Sequence, residues 1–290
     1  MLDSEVIRRI WPIWAFNNSL SWLFHKIKRL SLSDIEQQMV YNVKRYGIST
    51  CHINDIRPDV NFDELKGYAE TVLQKGYTNP RKPFWIDGWP RFSVINEYNP
   101  FLRFTLGFLP LANEYLNVYA RMNAVRLNLS RLMGTHAPVM SQIWHRDHED
   151  KRIFKVFLYL TDVLDQCAGP FHYVLESQRG GKWNNTFPLN KQKPFSPRIR
   201  DEFLEVAIPK KDIKICIGKA GTMIFADTMG LHKGGYCTTD QRIMYMGAFM
   251  TDGHFTVGSS RFSVGTYHSF REYEPKIDNI TFAERYALGL

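Results

Sequence analysis

Beyond residue 123 the hydrophobic period of this chain changes from that of a helix to that of a strand, and this change restricts the fold more than any other feature. In residues 124–132, Val125, Leu127 and Leu129 share one face, while Arg126, Asn128 and Ser130 share the other. Such an alternating polar face meets either solvent or the inside of a small barrel. Further strands are predicted at 140–145, 153–161, 171–175, 213–217, 222–226 and 242–250. Gly169-Pro170, Gly180-Gly181, Gly218, Gly221 and Gly234-Gly235 punctuate them. Upstream the pattern is helical. Ser33 and Glu36 have capping-box spacing, and Ile35, Met39, Val43 and Tyr46 follow at helical intervals before Gly47. A short strand is predicted at 48–53 and a second helix from Asn61 to about residue 73; Asn99 before Pro100 starts a third, and Pro110 divides the apolar stretch 101–120. Helices followed by short strands with Gly-rich turns predict a mainly β fold with a helical layer: a double-stranded β-helix, or jelly roll. The expected organisation is an N-terminal helical extension over 1–31 and a single domain over 32–290, with the jelly-roll core at about 124–250.

Composition removes other classes. The 290 residues are 44% hydrophobic and 23% charged, which excludes a disordered, collagenous or coiled-coil chain. The formal charge of +8 suits acidic ligands and equally serves solubility. The four cysteines at 51, 167, 216 and 237 form no metal or disulfide pattern, and no small-residue cleavage site follows the acidic start, so a cytoplasmic location is expected. Residues 10–24 are uncharged and hold Trp11, Trp14 and Trp22, but the run is too short and polar to span a bilayer. Arg8 and Arg9 flank it on one side; Lys26, Lys28 and Arg29 flank it on the other. A helix packed on the domain is the favoured reading of 10–29, and peripheral membrane contact is the alternative. Residues 178–200 form a basic, lid-like insert with Arg179, Lys182, Lys191, Lys193, Arg198 and Arg200 and no acid; Gly180-Gly181 offers it a hinge.

The chemistry concentrates in Trp144-His145-Arg146-Asp147-His148. On a strand, side chains two apart point the same way, so His145 and Asp147 converge, whereas His148 points away. His232, after the apolar strand 222–226, is the best third ligand, and Arg242 opens the next strand. Two histidines and one carboxylate are the facial set of non-haem Fe(II) sites, with positions left open for a cosubstrate and O₂. His136 and His172 read as packing residues. Arg126 reads as either an ion-pair residue or a substrate contact.

In the order of these blocks the sequence resembles the phytanoyl-CoA dioxygenase-like group of Fe(II)/2-oxoglutarate-dependent oxygenases. Residues 32–49 resemble the family's opening helix and strand, 144–147 the first two ligands, and 156–163 its "LTD" strand. Residues 169–179 resemble its "PGSH" strand, with Glu176 in place of the usual glycine, and 221–242 its second-histidine block. The resemblance implies that His145, Asp147 and His232 hold Fe(II) and that Arg242 pairs with the distal carboxylate of 2-oxoglutarate. It makes Lys155 a second contact to that carboxylate and Asn128 a further cosubstrate residue. The implied reaction is hydroxylation of a small organic substrate, anionic ones being among the candidates, with release of succinate and CO₂. Two other classes compete. One is a cupin-like dioxygenase or isomerase, which has no need of Arg242. The other is a basic module binding nucleic acid or a membrane surface. No nucleic-acid motif accompanies the charge, so a nucleic-acid partner is not expected.

Overall fold

The computed structural model describes residues 4–74, 85–88, 100–130, 132, 137–138, 140–189, 198–255 and 279–289. Asn99, His136, Lys191 and Lys193 lie outside them. The helices are α1 (Ser4–Arg9), α2 (Trp11–Asn17), α3 (Ser19–Ile27), α4 (Asp34–Tyr46), α5 (Ile53–Ile56), α6 (Phe62–Gln74), α7 (Pro100–Leu106), α8 (Leu109–Leu116), α9 (Asp201–Ala207) and α10 (Phe282–Leu288). The strands are β1 (Ile48–His52), β2 (Trp85–Gly88), β3 (Arg121–Ser130), β4 (Phe154–Tyr159), β5 (Phe171–Val174), β6 (Ile213–Cys216), β7 (Thr222–Asp227), β8 (His232–Gly234) and β9 (Arg242–Met250).

The strands form two antiparallel sheets, β1-β7-β4-β9-β3-β2 and β6-β5-β8. Period-2 alternation in the large sheet divides its residues between two cores. Val125, Leu127, Phe154, Val156, Leu158, Met223, Phe225, Tyr245 and Phe249 face the helical layer. Phe157, Tyr159, Ile224, Ala226, Met244, Met246 and Ala248 face the small sheet, where Phe171 and Tyr173 meet them. Burial on both faces explains why β4, β7 and β9 read as nearly continuous apolar runs. The helical layer is set by local signals. The capping box of Ser33 and Glu36 starts α4, and Gly47, at φ 83°, ends it. A side chain at Gly47 would collide with the Tyr173 hydroxyl, so only glycine fits where α4 turns into β1.

One expectation changes: residues 140–145 do not form a strand. Met140–Gln142 is a short 3₁₀ turn, and Trp144 and His145 make single bridges to Ile199 and His232. Met140 holds φ 53°, which interrupts any extended run. The described first part of the basic insert is hydrogen-bonded through Gly180-Gly181, the expected hinge. Gly181 donates to the Gln178 carbonyl at 3.0 Å and Trp183 to that of Glu176 at 2.8 Å. The buried Arg146 guanidinium then donates to the carbonyls of Ser177, Trp183, Thr186, Phe187 and Met229 at 2.6–3.2 Å. Glu176, where the resembled family has glycine, keeps the left-handed conformation that glycine favours, at φ 56°.

The N-terminal helices pack on the domain. Trp14 donates to Asp150 Oδ1 at 2.8 Å, Gly253 N to Asn18 Oδ1 at 2.9 Å, and Tyr119 N to the Ser21 carbonyl at 3.0 Å. All four cysteines are free thiols. Burial pushes Cys51 and Cys216 up to about 12, so neither is a nucleophile at neutral pH.

Candidate metal centre and active site

His145 and His232 belong to different segments but form a mutual backbone pair, each donating its N–H to the other's carbonyl at 3.0 Å. Asp147 N donates to the Thr228 carbonyl at 2.8 Å. The turn it rests on is held by the buried carboxylate of Asp227, which accepts from Tyr115 Oη at 2.5 Å and Met229 N at 2.9 Å. The three side chains thereby converge: His145 Nε2 lies 3.8 Å from Asp147 Oδ1 and His232 Nε2 3.8 Å from Asp147 Oδ2. Their potential ligand atoms all lie within 4.8 Å of one another.

The imidazoles are set up as ligands. His145 Nδ1 lies 2.8 Å from the Ile143 carbonyl and His232 Nδ1 2.9 Å from that of Gly230. A carbonyl only accepts, so each Nδ1 carries the hydrogen and each Nε2 lone pair faces the centre. Burial, then the neighbouring His232, drives His145 well below its ordinary value; burial brings His232 to about 4. Both rings are therefore neutral at pH 7. Burial alone would raise Asp147, but the Lys155 ammonium beside it outweighs burial and keeps the carboxylate ionised. Two neutral imidazoles and one carboxylate, all buried, fit a divalent first-row metal.

The triad opens into a cavity of about 450 Å³, lined also by Arg126, Asn128, Ser141, His148, Glu149, Lys155, Arg198 and Arg242 and by apolar Phe157, Phe171, Met244 and Met246. Sheet register orders this wall. Ser130 lies opposite Arg242, Asn128 opposite Met244, and Arg126 opposite Met246. Arg242 is 3% exposed. Its Nη1 donates to the Gly169 carbonyl and its Nη2 to Ser130 Oγ at 3.1 Å. Its Nε is buried with no hydrogen-bond partner among the described residues. An orphaned guanidinium N–H beside a hydroxyl has the chemistry to receive a carboxylate oxygen.

Lys155 sits beside the proposed ligands. It lines the cavity, but Nζ sits 2.5 Å from Asp147 Oδ2. On β9 its register partner is Ala248, six residues from Arg242, roughly 20 Å along the strand. Ser130 is the side chain hydrogen-bonded to Arg242. Its signal was present in the Arg126-Asn128-Ser130 alternation, but only strand pairing sets it opposite Arg242. His172 is outside the metal cluster: its Nδ1 meets the Pro170 carbonyl at 2.9 Å and its ring stands edge-on to Trp144. His148 also lies outside the cluster, although it lines the cavity. Of the insert's described cations, Arg198 reaches the cavity, Lys182 pairs with Asp212 at 3.2 Å and Arg179 lies over Trp11 at 4.9 Å.

No family model matches this chain, and no curated protein matches it in sequence. Solved structures do match. The epimerase SnoN, in complex with Fe3+, alpha ketoglutarate and nogalamycin RO, has a TM-score of 0.53 at 13% identity, over 75% of this chain and 84% of SnoN. EvdO2 from Micromonospora carbonacea var. aurantiaca, complexed with 2-oxoglutarate, has a TM-score of 0.52 at 14% identity, over 77% of this chain and 93% of EvdO2. SnoK, a non-heme alpha ketoglutarate dependent carbocyclase from nogalamycin biosynthesis, has a TM-score of 0.51 at 14% identity, over 76% and 85% of the two chains. At these identities the likeness establishes the fold, a jelly roll with a helical layer.

Proposed function

We propose that the chain is an Fe(II)- and 2-oxoglutarate-dependent oxygenase, of the kind the phytanoyl-CoA dioxygenase-like resemblance implies, acting on a small organic substrate with an anionic group. The observation that carries this is one cavity holding both a buried His145-Asp147-His232 cluster and a buried arginine with an unsatisfied N–H. Structural neighbours support the same reading: SnoN is in complex with Fe3+ and alpha ketoglutarate, SnoK is alpha ketoglutarate dependent and EvdO2 is complexed with 2-oxoglutarate. Iron, 2-oxoglutarate and O₂, when bound, supply the chemistry: decarboxylation to succinate and CO₂, with one oxygen atom for the substrate.

The chain's own residues do the rest. Ile143 and Gly230 carbonyls fix the tautomer and aim of the two ligand imidazoles. Lys155 keeps Asp147 ionised and oriented. Arg242 and Ser130 grip the distal carboxylate of the cosubstrate, and the Asn128 amide orients its other end. Phe157, Phe171, Met244 and Met246 keep water from this part of the cavity. Arg126 and Arg198 line the same cavity and supply positive charge for the substrate's anionic group.

A second outcome at the same site is epimerisation or ring closure, favoured by the names of SnoN and SnoK. Succinate release from 2-oxoglutarate with Fe(II), across a panel of anionic substrates, tests the common part; product mass separates the outcomes. Hydroxylation adds one oxygen atom, epimerisation leaves the mass unchanged and ring closure removes two hydrogens. No succinate under any substrate, together with no 2-oxoglutarate binding by calorimetry, would overturn the proposal.

A further inference from the structure

We propose that the outer face of α2 and α3 docks this protein on an anionic lipid bilayer, independently of what the active site does. These helices have the reverse of ordinary surface amphipathicity. Asn18, Ser21 and His25 are buried at 3%, 0% and 2% exposure. Phe16, Leu20, Leu23 and Ile27 are 69%, 55%, 45% and 74% exposed. The four follow one another at intervals of four, three and four, one line along the helical face. Trp11 and Trp22, 51% and 45% exposed, flank the line. Phe282 of α10, 55% exposed, packs edge-on against Phe24 and shares a groove with Phe16 and Leu20. A soluble protein gains nothing by burying serine and histidine while exposing leucine and isoleucine, so the outer face is built for an apolar partner.

Charge identifies that partner. Residues 6–33 contain no acid and five basic residues. Lys26 and Lys28 are exposed beside the apolar line. Arg8 and Arg285 line one adjoining groove; Arg152 and Arg179, with three tryptophans, line the other. A second copy meeting this face about a two-fold axis would bring like charges together, whereas anionic headgroups neutralise them. Helices α2 and α3 have 7 and 9 residues, and no described helix is long and apolar enough to cross a membrane. The face therefore lies on the bilayer with its aromatics at headgroup level. Helix α1, which precedes this face in the chain, reaches the candidate site: Arg9 donates to the carbonyl of the cavity residue His148 at 3.3 Å, and Lys151 returns to the Arg9 carbonyl at 2.8 Å.

Vesicle flotation of the full chain tests this, with phosphatidylcholine alone and with about one third phosphatidylglycerol, at low and high salt. The protein should float with the anionic vesicles at low salt, lose most binding at high salt, and show a blue shift of tryptophan emission on binding. Lys26→Glu with Lys28→Glu, and separately Leu23→Ser with Ile27→Ser, should each lower the partition coefficient at least about tenfold. All four positions are exposed, and unchanged circular dichroism and melting temperature will show that the fold persists. Failure of the parent protein to float with either vesicle overturns the proposal, as does equal binding to both. Self-association without vesicles that the Leu23→Ser, Ile27→Ser variant abolishes would assign the face to a second copy instead.

Discussion

Each residue at the proposed metal centre is positioned by a contact of its own. Because a carbonyl fixes each ligand histidine at Nδ1, the two rings need no reorganisation to bind. His232→Ala should abolish most turnover and weaken Fe(II) or Mn(II) binding in calorimetry, since it removes a proposed ligand and leaves the backbone pair with His145 in place. Retained activity would remove His232 from the centre. The carboxylate receptor makes a graded prediction. Arg242→Ala should raise the 2-oxoglutarate KM by the equivalent of about 2–5 kcal/mol. Ser130→Ala, which loses one neutral contact, should cost about 1 kcal/mol. Lys155→Met should leave that KM nearly unchanged and alter metal affinity instead, because Nζ rests on Asp147. A large KM effect for Lys155→Met in steady-state kinetics would restore it to the cosubstrate.

Among the elements, the most consequential link is Arg146, which lies in sequence between His145 and Asp147 of the proposed metal centre and sends its guanidinium to backbone carbonyls instead. It satisfies five carbonyls that join the first half of the insert to the turn before His232. Burial lowers its pKa to about 10, so it stays charged at pH 7. Arg146→Met would leave those acceptors buried and unpaired, a loss of about 3–5 kcal/mol in chemical denaturation. The motif H-R-D was legible in the sequence, but the arginine's task was not, because its partners lie 31 to 83 residues away. The α4 helix shows the opposite case: cap, period and stop are all local, and its expected limits are those found.

For the whole molecule, buried histidines set an acid limit. Burial, then Lys233, lowers His172 to about 4 from 6.5, and burial lowers His254 to about 4. The unfolded chain protonates these groups first, so their contribution is complete above pH 6.5 and is lost as pH falls towards 4. Each loss is on the order of 3 kcal/mol. Asp150 acts in reverse: burial raises it to about 6 from 3.8, so the folded form gains a proton, and stability, over that window. Among the described residues the lowered histidines, His145 and His232 included, outnumber the raised carboxyls Asp150 and Asp227, and the melting temperature should drop between pH 7 and 4.5. His172→Phe should flatten that drop; an unchanged pH profile by scanning calorimetry would show that His172 is not held neutral. Ligands act on the same quantity. Metal with 2-oxoglutarate, at a hundred times the dissociation constant, should add about 2.7 kcal/mol of stability and raise the melting temperature accordingly.

What the sequence determined by itself is whatever short-range chemistry specifies. Caps and helical period set α4, and the alternation over 124–132 marked the polar strand β3. The spacing of His145 and Asp147 with the apolar strand before His232 named the cluster. Tertiary structure decided what depends on register and on distant partners. It replaced a strand at 140–145 with a turn and two bridges. It set Ser130 beside Arg242, and it turned polar residues of α3 inward while exposing its leucines. The physical reason is common to these cases. Pairing across strands and burial against another element are set by residues tens of positions away, and a one-residue change of register exchanges the two faces of a strand.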